Sequence, residues 1–259
     1  GVALDQKDKA RELVRETLMM ERDESPSFGT SELCVRINSL DTEEMARRDL
    51  EAILPCPALQ AIVIPKVECN YSINYISDQI QALGANPDIR IIAAIESASG
   101  MVNIRDIAEA NSRLDALVFA SEDYCADLEL IRTETATELL YARSTLVTMA
   151  KAYKLQAIDM VHIDFNNMIG LNVECERGRE LGFTGKQAIH PKQVATIQKA
   201  FLPSEKDVTF AVEVVQQYEE AVGSQGKGAC VVRGIVVDAP VYKWALKILK
   251  RARNGGMLD

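Results

Sequence analysis

Glu96 and Asp123 stand at or just beyond the ends of two successive apolar runs, IRIIAAIE (89–96) and ALVFA (116–120). Two carboxylates presented from neighbouring strands can hold a hard divalent cation such as Mg2+, with water and substrate oxygens completing its octahedron. A pair of satisfied strand-end acids leaves the same trace in sequence, so the spacing alone keeps both readings open. Arg36 lies inside a third such run, LCVRIN (33–38). An arginine inside an apolar strand needs a partner. Its planar fork suits a substrate carboxylate or a developing enolate oxygen, and a structural ion pair with the next strand is the other reading.

Lys66 follows Pro65 at the end of AIVIPKV (61–67). It could bind a phosphate, although pairing with Glu68 is the simpler expectation. The stretch LGFTGKQAIHP contains Gly182, Gly185 and Lys186, but only loosely resembles a phosphate-cradling turn, because Gln187 stands where a Walker motif has Ser or Thr. There are two histidines. His162 falls in an apolar stretch and is expected to be a packed core residue, and His190 has no second histidine beside it, so neither a ligand pair nor a Ser-His-Asp arrangement is suggested. Asp238 precedes Ala239-Pro240 and an amphipathic run. That is a good N-cap setting with proline in the first turn, and local signals favour the cap.

These residues need a frame to bring them together. Six short apolar runs recur, at 33–38, 61–67, 89–96, 116–120, 157–163 and 187–189. Most are apolar on both faces, as strands of a buried parallel sheet should be. Helical patterns lie between them, including Ala10, Leu13, Val14, Thr17 and Leu18 near the start, and a segment before Leu50 that Asp41 and Glu44 would cap. The runs are spaced by roughly 26 to 29 residues, and once by about 41, which is the size of a repeated βα unit. Such repeats build a doubly wound sheet or a (β/α)8 barrel. No GxGxxG follows an early strand, and polar residues gather at the C-terminal strand ends, where a barrel places its site. Six units are countable rather than eight, so the barrel is expected to lack its first two strands. Two open sheet edges would then be an aggregation hazard.

The barrel is expected to span residues 1–203 and a C-terminal extension residues 204–259. In that extension Val208, Ala211, Val212, Val215, Tyr218 and Val222 make one amphipathic helix. The linker GSQGKG (223–228) then reads as a hinge into a β-rich piece and a last helix, together a lid or arm.

The chain has 259 residues and a formal net charge of −9, which argues against generic nucleic-acid or anionic-membrane binding. No apolar run approaches the roughly 18 residues that a membrane span needs. Six dispersed cysteines (Cys34, Cys56, Cys69, Cys125, Cys175 and Cys230) read as reduced core thiols rather than a disulfide or zinc framework. The chain begins Gly1-Val2-Ala3 and enters a helical pattern at once, so either a targeting segment has been removed or the chain is expected to be a fragment, an incomplete gene prediction, or a short isoform that cannot close its barrel.

The segments CVRIN (34–38), PKVE (65–68), AIESASGMVNI (94–104), VFASEDY (118–124), ELLYAR (138–143), LQAIDMVHIDF (155–165) and LGFTGKQAIHPKQ (181–193), with GKGA (226–229) and IVVDAPVYKWA (235–245), together resemble the citrate lyase β-subunit-like family of the HpcH/HpaI aldolase superfamily. The resemblance covers almost the whole chain and is strongest to the branch found in animal mitochondria. It implies a Mg2+-dependent (β/α)8 barrel with a C-terminal extension, assembled as a homotrimer or a multiple of it, in the mitochondrial matrix. It also implies carbon–carbon cleavage of a short 3-hydroxyacyl-CoA, with citramalyl-CoA giving acetyl-CoA and pyruvate. On this resemblance Glu96 and Asp123 are the metal ligands, and Arg36 binds substrate. Asp238 is the acid/base of the extension, overturning the preference for a mere cap, and reaches a neighbouring subunit's site. Lys66 is the candidate on the coenzyme A side. Relatives have two earlier strands, the second ending in an acidic stretch that this chain lacks. Rival expectations are a malate-synthase-like condensation with glyoxylate, a malyl-CoA lyase, and a non-catalytic CoA-binding fragment.

Overall fold

The computed structural model describes residues 2–20, 28–29, 31–225 and 228–258. Gly1 and part of the GKGA motif, at Gly226 and Lys227, lie outside the described residues. The chain forms two compact units, one of Gly1–Phe165 with Arg177–Ile189 and one of Asn166–Glu176 with His190–Asp259.

The first unit is built on a six-stranded sheet in chain order: β1 (Cys34–Arg36), β2 (Ala61–Ile64), β3 (Arg90–Ile95), β4 (Leu114–Phe119), β5 (Gln156–Asp159) and β6 (Gly185–Lys186). Every neighbouring pair is parallel, with Arg36 opposite Val63 and Ile95 opposite Phe119, and one irregularity between Ile91 and Ile92. A βα chain that adds each strand beside the last without reversing order is part of a barrel wall, not a doubly wound sheet. Ile62, Ile64, Ile91, Ala93, Ile95, Leu117 and Phe119 are all buried, as strands covered on both faces require.

The crossovers carry α1 (Lys7–Met20), α2 (Glu43–Ile53), α3 (Asn70–Ala82), α4 (Ala98–Val102), α5 (Ile104–Ala108), α6 (Ser121–Asp127), α7 (Leu140–Ala152) and α8 (Met168–Leu181). Each long helix that packs on the sheet buries one stripe: Ala46, Asp49, Leu50 and Ile53 on α2, and Ser72, Ile73, Ile76 and Ile80 on α3. On α1 only Leu18 is buried, and Leu13, expected on the apolar face, is exposed.

Several sequence expectations shift here. Ser39, not Asp41 with Glu44, caps the turn leading into α2 by accepting the Asp41 N–H at 3.1 Å; Glu44 pairs with Arg47 and Arg48 instead. β5 ends at Asp159, so His162 lies in the following loop, not inside a strand. β6 is Gly185–Lys186 rather than 187–189, which makes the supposed phosphate turn a strand with Lys186 buried. All six cysteines are free, with Cys56, Cys125 and Cys175 buried but Cys34 and Cys69 exposed.

The second unit contains α9 (Pro191–Phe201), α10 (Glu205–Gln225), an antiparallel hairpin of β7 (Cys230–Val232) and β8 (Ile235–Val237), and α11 (Ala239–Asn254). Arg233 and Gly234 turn the hairpin with φ of 51° and 79°, the two positive angles a tight hairpin needs. Val208, Ala211, Val214, Val232, Val237, Ala245, Leu249 and Ala252 make its core. α10 continues through Gly223 to Gln225, so the hinge does not begin at Gly223. A glycine costs a helix about 1 kcal/mol, little enough for a well-packed helix to carry near its end. Among the described residues no helix is long and apolar enough to cross a membrane.

Candidate active site

Parallel strands in chain order deliver their C-terminal ends to one rim, and the segments leaving β1 to β4 supply the polar residues there. Arg36 is the last residue of β1, and Asn38 follows two positions later. After β2 the chain turns at Lys66, whose φ of 52° is unusual for a residue with a side chain. Glu96 directly follows β3. Asp123 is not at the strand end. It lies in the first turn of α6, where the exposed backbone N–H groups of a helix start favour a carboxylate.

Arg36, Asn38, Asp49, Lys66, Glu96 and Asp123 line one cavity of about 380 Å3. A second cavity, of about 440 Å3, shares Lys66, Glu96 and Asp123 and adds Glu68 and Asp127. Glu96 is 7% exposed, and burial followed by the nearby charge of Asp123 holds its carboxyl above the usual range. The Lys66 backbone N–H and the charges of Arg36 and Lys66 act the other way. Asp123 is exposed to solvent. Among the described residues no third carboxylate, His or Cys joins these two as a metal-ligand cluster. Two carboxylates, one buried and ill-tolerating its own charge, suit Mg2+, which keeps several waters and accepts substrate oxygens in place of further protein ligands.

The structure brings Arg36, Lys66, Glu96 and Asp123 together. Arg36 is exposed on β1, which among the described residues has a strand neighbour on one side, and no ion pair with the next strand holds it. Lys66 does not pair with Glu68, whose carboxylate accepts the Ser97 hydroxyl at 2.6 Å. Asp238 stands in the second unit and caps α11, accepting the Val241 N–H at 3.3 Å. His190 caps α9 through Nδ1, which accepts the Lys192 N–H at 3.2 Å.

Further polar residues stand at the rim. Asp49, 8% exposed, accepts the Asn38 backbone N–H at 2.7 Å, Asn38 Nδ2 at 2.6 Å and Arg11 Nε at 2.7 Å. Asn38 Oδ1 accepts Lys7 Nζ. Asp49 thereby fixes the segment just past Arg36. Asn38 is legible as a polar residue at the end of the run LCVRIN, whereas Asp49 carries no local sequence signal. The PKVE segment is pinned just as closely: Asn103 Nδ2 donates to the Glu68 carbonyl at 2.9 Å, and a Cβ on Gly100 would lie 2.6 Å from the Val67 carbonyl oxygen. Gly100 is therefore needed for α4 to approach the β2 exit.

The chain is similar to known proteins in sequence and in fold. The family model described as HpcH/HpaI aldolase/citrate lyase matches residues 1–191. The chain is 34% identical over 258 residues to the mitochondrial citramalyl-CoA lyase of Homo sapiens, covering 95% of this chain and 74% of that one. It is 35% identical over 264 residues to the citrate lyase subunit beta of Leuconostoc mesenteroides subsp. cremoris, covering 100% of this chain and 85% of that one. Among solved structures it is similar to the CitE protein of Mycobacterium tuberculosis in complex with magnesium, acetoacetate and coenzyme A, with a TM-score of 0.73, 29% identity, and coverage of 98% of this chain and 86% of that one. With most of its length matched by the family and by relatives above 30% identity, this chain belongs to the HpcH/HpaI aldolase/citrate lyase family.

Proposed function

We propose that this chain is a Mg2+-dependent carbon–carbon lyase acting on a short 3-hydroxyacyl-CoA, with citramalyl-CoA cleaved to acetyl-CoA and pyruvate. The observation that carries the proposal is the meeting of Glu96, Asp123 and Arg36 on one cavity at the C-terminal end of a parallel sheet. Glu96 and Asp123 would hold the ion. Mg2+, when bound, supplies Lewis acidity toward the substrate carboxylate and its adjacent tertiary oxygen.

The exposed Arg36 guanidinium binds the same oxygens and favours negative charge as it builds there. The tertiary hydroxyl passes its proton to solvent water, which later returns one to the Asp238 carboxylate, the carbon–carbon electron pair moves to the acetyl-CoA fragment as an enolate, and pyruvate is left as the ketone. The enolate carbon then takes a proton, and Asp238 is the residue proposed to give it, or to remove it in the condensation direction. A thioester makes this carbanion accessible without a Schiff-base lysine, which is a reason for the substrate to carry CoA. Lys66, exposed at the cavity edge, is proposed as a contact for the CoA side of the substrate.

The proposal extends to a barrel domain through residue 203 with an extension over residues 204–259, to assembly as a homotrimer or a multiple of it, and to the mitochondrial matrix. The last is supported by the mitochondrial naming of the human, mouse and rat relatives. Calorimetric titration with Mg2+ and pyruvate tests the enzyme reading. Saturable pyruvate binding that requires Mg2+ supports it. Binding of CoA with no dependence on metal would favour a non-catalytic CoA-binding module instead.

A further inference from the structure

Asp127 is the last residue of α6, one helical turn after Asp123 and on the same helix face. A carboxylate at a helix C-terminus meets the unfavourable end of its own helix dipole. Its position is explained by what it touches. Asp127 Oδ2 accepts the backbone N–H of Ala98 at 2.7 Å, across 29 residues of sequence. Ala98 is the first residue of α4 and comes two positions after Glu96. The segment is held on its other side as well, because Ser97 Oγ donates to Glu68 Oε1 at 2.6 Å. Asp127 lines the cavity shared by Glu96 and Asp123.

We infer that Asp127 is a positioning residue for the Glu96–Asp123 pair: by holding the Ala98 N–H it ties the helix that carries Asp123 to the segment that carries Glu96, and so sets the spacing of the two carboxylates. This rests on the reading of that pair as the Mg2+ site. The two residues lie on separate crossovers, and one of them, Asp123, is on a helix of seven residues. The strand ends are already joined where the Ala120 N–H donates to the Ile95 carbonyl at 3.1 Å. Asp127 adds a second point of attachment one helical turn beyond Asp123, which fixes the angle at which α6 leaves that joint. Groups that orient metal ligands in this way typically change metal affinity by about 10- to 100-fold when lost.

The test is Mg2+ affinity of the full chain, measured by calorimetry without substrate, beside thermal melting. Asp127→Ala should weaken Mg2+ binding by about 10-fold or more. Asp127→Asn should stay within about threefold of wild type, since its amide oxygen accepts the same N–H. Ala98→Pro removes the donor from the other side. Proline is tolerated at a first helical position, and Ser97 before it is already extended, with φ −141° and ψ 163°. This variant should weaken Mg2+ binding as Asp127→Ala does, and the double variant should be no weaker than either single one. Unchanged Mg2+ affinity in both Asp127→Ala and Ala98→Pro, with binding abolished in Glu96→Gln and Asp123→Asn, overturns the inference and leaves the site standing. Equal weakening by Asp127→Ala and Asp127→Asn, with none by Ala98→Pro, also overturns it, because bulk charge and not the tie would then be responsible. Wild-type Mg2+ binding by Glu96→Gln and Asp123→Asn overturns the site itself, and the inference with it.

Discussion

Arg143 and Asp159 form a two-pronged ion pair in the interior of the first unit, with Nε to Oδ1 at 3.1 Å and Nη2 to Oδ2 at 2.6 Å. Their side chains are 4% and 0% exposed. The guanidinium lies 5.5 Å from the centre of the Phe183 ring, and a Cβ on Gly178 would come within 2.6 Å of Asp159 Oδ2. The pair links α7 to the end of β5, and the Asp159 carbonyl accepts the N–H of Gln187 just past β6. It is a structural element of the sheet-to-helix layer.

Deleting one partner strands the other charge in a dry interior. Arg143→Ala or Asp159→Ala is expected to cost about 3–5 kcal/mol in urea denaturation, while replacing both by apolar residues of similar volume should recover most of it. A single variant within about 1 kcal/mol of wild type would show that water reaches the pair.

Glu96 gives the apo protein a definite pH dependence. Burial and Asp123 hold its carboxyl above the usual range, so the folded state keeps that proton more tightly than the unfolded chain does. Stability therefore falls as pH rises from the ordinary carboxylate pKa through the raised one. Glu96→Gln removes this loss. Without metal it should melt above wild type near neutral pH, and the difference should shrink as pH falls toward about 4. A variant that melts below wild type at neutral pH would mean that the carboxylate is satisfied by its neighbours.

The strands β2, β3 and β4 were legible because burial on both faces demands continuous apolar runs, and Ala61–Ile64, Arg90–Ile95 and Leu114–Phe119 carry them. Their ends were less so. Met160, Val161 and Ile163 prolong the apolar run after β5, yet the ladder stops at Asp159. Gly185 and Lys186 have no strand-like composition, yet they pair with Ile158 and Asp159. Arg36 ends a strand as the run LCVRIN suggests, but its exposure on an edge strand is not revealed by pattern alone. The ties through Asp49 and Asp127 join residues 11 and 29 positions apart on different elements, and no local signal encodes such a distance.

Asp238 separates two roles in one residue. As the N-cap of α11, it should lose about 1 kcal/mol of stability on change to Ala and almost none on change to Asn. As the acid/base, Asp238→Asn should lower turnover by a factor on the order of 10²–10⁴. Lyase rates beside melting curves decide this, and a stable Asp238→Asn enzyme with wild-type turnover would leave the cap alone. Partial rescue on mixing Asp238→Asn with Arg36→Ala subunits would show that the two residues act from different subunits.

The proposed lyase depends on Glu96 and Asp123 as its metal ligands. The most direct test is steady-state release of pyruvate from citramalyl-CoA, with Mg2+ and then with a chelator, for wild type, Glu96→Gln and Asp123→Asn. The expected result is turnover that requires Mg2+ in wild type and falls by at least about 10²-fold in each variant, as removal of a charge-stabilising element in an active site does. Full Mg2+-dependent turnover in either variant, or turnover by the wild type that survives the chelator, would contradict it.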